Sequence, residues 1–311
     1  MAFKDYLLKW INRCKELDTR DSFNKHESQD ILFEMGINVN TDTHEVEFTD
    51  AHENGVDTSL EHNPTIDTET IPGVTIYSIF QRNDKVHNDG NPLIYALKGK
   101  GEHGWTISDE NKAKLMNRIK RIVDDFCARH PVDFTIVAPS GGGVNSMLLD
   151  MVNEVLSGRD RENIVLNNVL DKMTVDEVEE AMFEKDSSFN SEFDTPEKRQ
   201  LAWMRLRPSF KRMREENDGI FSYKMVQPVK YRKWITKALK FSDNADISEM
   251  VSKLPGRHIL IIDDTITFGN TIRSIASLIR DTLSNIKSGT GTVELFAPAS
   301  ISALTLFSVR K

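Results

Sequence analysis

Residues Arg257 to Arg273 read RHILIIDDTITFGNTIR. Four apolar residues, Ile259 to Ile262, run straight into two carboxylates, Asp263 and Asp264, and a Thr/Gly/Asn segment, Thr265 to Thr271, follows. A continuous apolar run of this length, rich in β-branched residues, suits a strand buried on both faces of a parallel sheet. Ile272, Ile275, Ala276, Ile279 and Leu283 then recur at helical spacing. The acids are therefore expected at the carboxyl end of a strand, with the loop opening onto a helix N-terminus. Open α/β sheets bind ligands at such a position. Free backbone N–H groups and the helix dipole make the loop a natural phosphate cradle.

Two adjacent carboxylates beside an anion site make opposed demands. The acids repel phosphate, so a purely anionic ligand fits poorly. A ligand with neutral hydroxyls at one end and a phosphate at the other satisfies both, and ribose 5-phosphate has that shape. Asp263 and Asp264 would accept hydrogen bonds from the 2- and 3-hydroxyls, and Gly269, Asn270 and Thr271 would hold the 5-phosphate. Gly269 permits close backbone approach or a positive φ.

A second strand–loop–helix unit lies upstream. Asp133 to Ala138 (DFTIVA) reads as a buried strand, Pro139-Ser140-Gly141-Gly142-Gly143 as its loop, and Val144 to Leu156 as a helix. Three successive glycines let several N–H groups point at one anion with no side chain in the way. Further strands are expected at Gly73 to Phe80, Asn163 to Leu170 and Thr292 to Ala297, with Ser302 to Val309 apolar enough to close the core. A helix is signalled from Ser108 to His130 and Pro131, and another after the capping-box pair Thr174 and Glu177. Ser187 to Asp194 reads as a polar break, and Thr195-Pro196 starts a further helix. This alternation predicts a doubly wound parallel α/β sheet. Right-handed crossovers place the 138–143 and 264–271 loops on one edge.

Residues 3–17 form an amphipathic helical pattern, and Asp18 to Thr70 is polar and acidic, with His44 to Phe48 alternating like a short strand. His26, His44, His52 and His62 lack a tight ligand spacing, so no metal site is expected there. Residues 1–72 are thus an N-terminal extension or subdomain, and 73–311 the α/β domain, with a charged helical insertion at about 171–218. Lys98 and Lys100 lie among glycines on a turn suited to an anionic ligand. Arg199, Arg205, Arg207, Lys211, Arg212 and Arg214 cluster within one helix. They make either a positive cover over a pyrophosphate or a solvated helix face. A net charge of −8 argues against a broad nucleic-acid-binding surface but allows a local basic patch. Two isolated cysteines, Cys14 and Cys127, exclude a disulfide framework or zinc ribbon. No run approaches the length of a membrane span, and the N-terminus lacks a signal-like apolar block. A reducing, cytoplasmic setting is expected.

The acid-pair stretch resembles the phosphoribosyl-pyrophosphate (PRPP) binding motif of type I phosphoribosyltransferases, with matches at Asp263, Asp264, Thr267, Gly269 and Thr271. It departs at Phe268, where that family usually has a second threonine. The Gly141–Gly143 loop is similar to the family's pyrophosphate loop. Within the superfamily the chain is most similar to the ComF-like branch. Tyr95 to Lys100 matches that branch's lysine-containing turn, and Arg214, Asn217 and Phe221 match its Arg-x-x-Asn-x-x-x-Phe segment. The resemblance covers about residues 93–300, and the branch's cysteine-rich N-terminal module is absent.

The resemblance implies pentose transfer from PRPP, or a related sugar diphosphate, with release of pyrophosphate. Asp263 and Asp264 would orient the sugar. Thr265, Thr267, Phe268, Gly269, Asn270 and Thr271 would form the 5-phosphate loop, and Ser140 to Gly143 would hold pyrophosphate. Lys98, Lys100 or Arg214 would supply cations to the leaving group. Mg²⁺ would be held mainly through ligand oxygens, with Asp263 and Asp264 as further candidates. The acceptor stays open: a nucleobase, an amine, a protein or a modified nucleic-acid base. A homodimer is compatible with this reading. Two rivals remain, a non-catalytic PRPP- or nucleotide-sensing protein on the same fold and an enzyme that cleaves a nucleotide's glycosidic bond.

Overall fold

The computed structural model describes residues 36–49, 56–82, 91–99, 104–139, 143–166, 168–243, 253–254, 256–266, 268–289 and 300–308. Its elements, in order, are β1 (Gly36–Asn40), β2 (Glu45–Thr49), β3 (Val56–Asp57), β4 (Thr65–Asp67), β5 (Thr75–Arg82), α1 (Asn91–Lys98), β6 (Thr106–Ile107), α2 (Asp109–Arg129), β7 (Phe134–Val137), α3 (Val144–Ser157), β8 (Ile164–Leu166), β9 (Leu170–Lys172), α4 (Val175–Phe183), α5 (Ser188–Glu192), α6 (Pro196–Glu216), β10 (Leu239–Phe241), β11 (His258–Thr265), α7 (Asn270–Gly289) and β12 (Ser300–Phe307). Two 3-10 turns, Tyr223–Met225 and Val229–Trp234, separate α6 from β10.

The apolar run Ile259 to Ile262 lies in β11, at the centre of a mostly parallel sheet ordered β3-β5-β12-β11-β7-β8. β5, β12, β11, β7 and β8 are parallel to their neighbours, while β3 and β4 pair antiparallel with β5. Ile76, Ala303, Ile261 and Ile136 lie in register across four strands and pack on Ile272, Ile275 and Ile279 of α7. Tyr77, on the opposite face, meets Phe126 of α2 with ring centroids 4.9 Å apart. Helices therefore cover both faces, which is why β11 carries a continuous apolar run rather than an alternating one. Burying such aliphatic side chains stabilises by roughly 1.5–3 kcal/mol each.

The chain leaves β7 through α3 toward β8, and leaves β11 through α7 in the other direction, toward β12. The strand order thus reverses between β7 and β11. Their carboxyl ends bound the crevice that such a reversal opens.

Several local expectations hold for stated reasons. Ser108 caps α2 by accepting from Asn111 N, and Thr174 and Glu177 form the full capping box of α4. Thr195 caps α6, with Pro196 in its first turn. Others need correction. Asn163 to Leu170 is not one strand: the chain turns at Asn168 (φ 55°), so β8 joins the central sheet and β9 pairs with β10. Ser187 to Asp194 is not merely a polar break, because Ser187 caps α5 and the fully buried Phe189 anchors it. Lys98 does not sit on a turn; it ends α1, whose Leu93, Ile94 and Leu97 are buried.

The charged insertion is longer than 171–218. β9 and β10 form an antiparallel ribbon, and Met173 N donates to Ala238 O at 3.0 Å. The chain thus departs and returns at one point, and residues 173–238 form a module with its own core, including Val178, Phe189, Leu206, Phe210, Met213 and Phe221. Ser274 of α7 ties the return down, its Oγ accepting from Ala238 N (3.0 Å) and Leu239 N (3.1 Å).

The described part of residues 1–72 is bound to the same body. β3 and β4 extend the sheet from β5, Ile71 is buried in the core, and Met35–Lys311 form one compact unit. His44 stacks on Trp105, and His62 Nδ1 lies 2.7 Å from Asp57 Oδ2. The expected 3–17 helix, the Thr292–Ala297 strand, Cys14, His26, His52, Lys100, Ser140, Gly141, Gly142 and Thr267 lie outside the described residues. No helix among the described residues is long and apolar enough to cross a membrane.

Candidate functional site

A cleft of about 470 Å³ opens at the carboxyl ends of β7 and β11. Asp263, Asp264, Thr265, Phe268, Gly269, Asn270 and Thr271 line it from the acid-pair stretch, Pro139 from the loop after β7, and Lys98 from α1. The two strand–loop–helix units read from the sequence therefore meet at one cleft.

Neighbouring residues on a strand project to opposite sides, and the acids have different surroundings. Asp264 forms an ion pair with Lys98, both side chains about one-seventh exposed (14% and 15%). It also accepts from Thr265 Oγ1 at 2.9 Å. Asp263 is buried and accepts the Asp264 N–H at 2.9 Å. Burial, and then the neighbouring Asp264 charge, push the Asp263 carboxyl up to about 7; the Asp264 N–H, Lys98 and Asn145 oppose this only in part. Asn145, near the start of α3, also donates to Ala138 O at 2.9 Å, so it links both strand ends.

The loop after β11 depends on Gly269. Its φ is +66°, and a Cβ there would lie 2.7 Å from Ile71 Cδ1. α7 starts at once: Arg273 N donates to Gly269 O at 2.8 Å. The preceding N–H groups of the first turn have no intrahelical acceptor, the usual condition for an anion site. Asn270 is buried beside them, and its Oδ1 has no hydrogen-bond partner among the described residues. Phe268 places a ring in the cleft lining where the resemblance implies a hydroxyl.

Arg214 does not join this site. It donates to Asp176 Oδ1 at 2.6 Å and pairs with Glu179, holding α6 against α4. Arg212 donates to Met225 O and Arg205 to the Tyr231 hydroxyl, while Lys211 pairs with Glu215. The α6 cations thus do not form a cover on the acid pair. Basic groups that the sequence reading did not select line the cleft instead: Lys172, Lys224 and Arg232. Phe221, Ser222 and Tyr223 complete that wall, with the Tyr223 hydroxyl donating to Ile235 O at 2.8 Å. These residues reach the site only because β9 and β10 bring the module back to its point of departure. The one available signal was the basic and aromatic run VKYRKW, Val229 to Trp234.

Among the described residues no group of three or more His, Cys, Asp and Glu could hold a metal ion. Asp263 and Asp264 with the Thr265 hydroxyl are hard oxygen donors, which suits Mg²⁺ held largely by ligand oxygens and water. No protein-family model matches this chain, and no curated protein matches it.

Proposed function

We propose that this cleft binds a pentose carrying a 5-phosphate and a 1-diphosphate, PRPP or a close relative, and transfers the pentose to an acceptor. The fold proposed with it is the doubly wound, type I phosphoribosyltransferase-like one. One observation carries the reading: paired carboxylates and a helix N-terminus behind a positive-φ glycine line the same cleft, at the strand-order reversal. Asp263 and Asp264 accept from the 2- and 3-hydroxyls, and the N–H groups of Gly269 to Thr271 hold the 5-phosphate. The bond from C1 to the pyrophosphate oxygen breaks with its electron pair on the oxygen, leaving oxocarbenium-like charge on the ribose, and the acceptor's lone pair then bonds C1 while the acceptor gives its proton to solvent. The carboxylates stabilise that charge. Lys98 exchanges Asp264 for the departing pyrophosphate, with Lys172, Lys224 and Arg232 as further cations. Preorganised groups of this kind supply several kcal/mol of transition-state stabilisation. Mg²⁺, when bound, would neutralise pyrophosphate charge, held mainly by ligand oxygens and water, with Asp263 and Asp264 as the candidate protein ligands.

Isothermal titration with PRPP and Mg²⁺ tests the reading. Binding is expected for the intact chain and at least tenfold weaker binding for Asp263→Asn/Asp264→Asn; no heat, or equal affinity, overturns it. Phe268 favours one second reading, a sensor that binds the same ligand without turnover. Pyrophosphate release across a panel of acceptors separates the two.

A further inference from the structure

Between Thr195 and Ser242 the chain holds thirteen Lys and Arg but four Asp and Glu, in a protein of net charge −8. Positive charge is thus concentrated in this second part of the module, whose first part, 173–194, carries eight Asp and Glu against the single Lys185. Six of those cations are paired with acids: Lys198, Lys211, Arg212, Arg214, Lys237 and Lys240. Among the described residues the other seven, Arg199, Arg205, Arg207, Lys224, Lys230, Arg232 and Lys233, have no such partner, and five of them, Arg205, Lys224, Lys230, Arg232 and Lys233, lie in or against the 224–233 segment. Four of these five are held by neutral groups instead. Arg205 donates to the Tyr231 hydroxyl, and Arg232 to Val226 O and Lys224 O. Lys230 lies 5.5 Å from the Tyr231 ring centroid and Lys233 4.8 Å from that of Trp234.

Hydrogen bonds make these five cations one strip. α6 lies against the 225–231 segment through Ser209 Oγ to Gln227 O (3.1 Å) and Arg212 to Met225 O (2.9 Å). The segment is pinned to α7 where Arg273 donates to Lys233 O at 3.0 Å. At its other end the strip enters the cleft, since Lys224 and Arg232 line both.

We propose that this strip binds single-stranded nucleic acid, its phosphates following Arg205, Lys230 and Lys233 down to Lys224 and Arg232. Cations interleaved with aromatic rings along a narrow track suit a flexible polyanion. A duplex or a flat anionic bilayer cannot follow a track that descends into a cleft floored by two carboxylates. Binding at the strip stands on charge and geometry alone. Its consequence, that a nucleotide of the strand is the acceptor for the pentose, rests on the proposed function.

The test is fluorescence anisotropy of the full chain with a labelled oligothymidylate of about twenty nucleotides, repeated with the matching RNA. Binding is expected at low salt, with affinity falling steeply as salt rises. Lys230→Ala/Lys233→Ala should bind at least tenfold more weakly, with a salt slope shallower by about 1.4, roughly 0.7 for each phosphate that is no longer neutralised. Lys120→Ala, which alters an exposed pair with Glu154 elsewhere, should bind as the parent does. Asp263→Asn/Asp264→Asn should keep strand binding, so that loss of the sugar site and loss of the strip are read separately. No binding at low salt, parental affinity in the double lysine variant with native circular dichroism, or binding to phosphatidylserine vesicles but not to the oligonucleotides overturns the proposal.

Discussion

Gly269 shows how much a single residue can settle. A side chain there would need both a left-handed backbone and space that Ile71 already fills. Gly269→Ala should therefore destabilise the protein by about 1–3 kcal/mol and weaken any phosphate ligand, read by urea unfolding and by titration. Asp263 poses a different problem, because its carboxyl is held protonated to about pH 7 by burial and by Asp264. In the unfolded chain it ionises near its ordinary value of 3.8. Below both values it contributes nothing to pH dependence. Between them the unfolded state loses its proton first, so stability falls as pH rises and levels off above the folded value. Asp263→Asn removes this loss. Its stability relative to the parent should rise from about pH 4 to about pH 7 in urea melts; a constant difference would contradict the assignment. A ligand that needs both carboxylates ionised should bind more tightly as pH rises through the same window. The residue pattern made the acid pair and Gly269 visible as candidates. It could not show that Lys98 already neutralises Asp264, because that contact joins positions far apart in the chain.

At the scale of elements, period and capping chemistry were the legible features. α2, α4 and α6 start at Ser108, Thr174 and Thr195, because each supplies a side-chain oxygen to an orphan N–H. Short elements were not legible. α5 depends on the burial of Phe189 among residues distant in sequence, and β9 exists only because β10 pairs with it. The junction between module and sheet should be sensitive to one hydroxyl. Ser274→Ala removes the acceptor that the Ala238 and Leu239 N–H groups share in a buried setting. The expected cost is about 1–3 kcal/mol. Hydrogen exchange should show the increased opening concentrated at 238–241 rather than in β11.

For the whole molecule, the module and the sheet have separate cores, joined through the β9–β10 ribbon and α7. Replacing residues 173–238 by a two-residue Asn-Gly turn should leave a cooperatively folding α/β body. It should also remove Phe221, Lys224 and Arg232 from the cleft, lowering PRPP affinity at least tenfold by titration while the thermal transition persists. The local chain settled the central strands β5, β7 and β11 and the starts of α2, α4 and α6, because hydrophobic period and caps act over a few neighbouring positions. Folding in three dimensions settled which strands adjoin, where their order reverses, and which cations face the acids. Those outcomes depend on contacts between residues as far apart as Lys98 and Asp264, or Lys172 and Leu239, and no local pattern encodes such pairings.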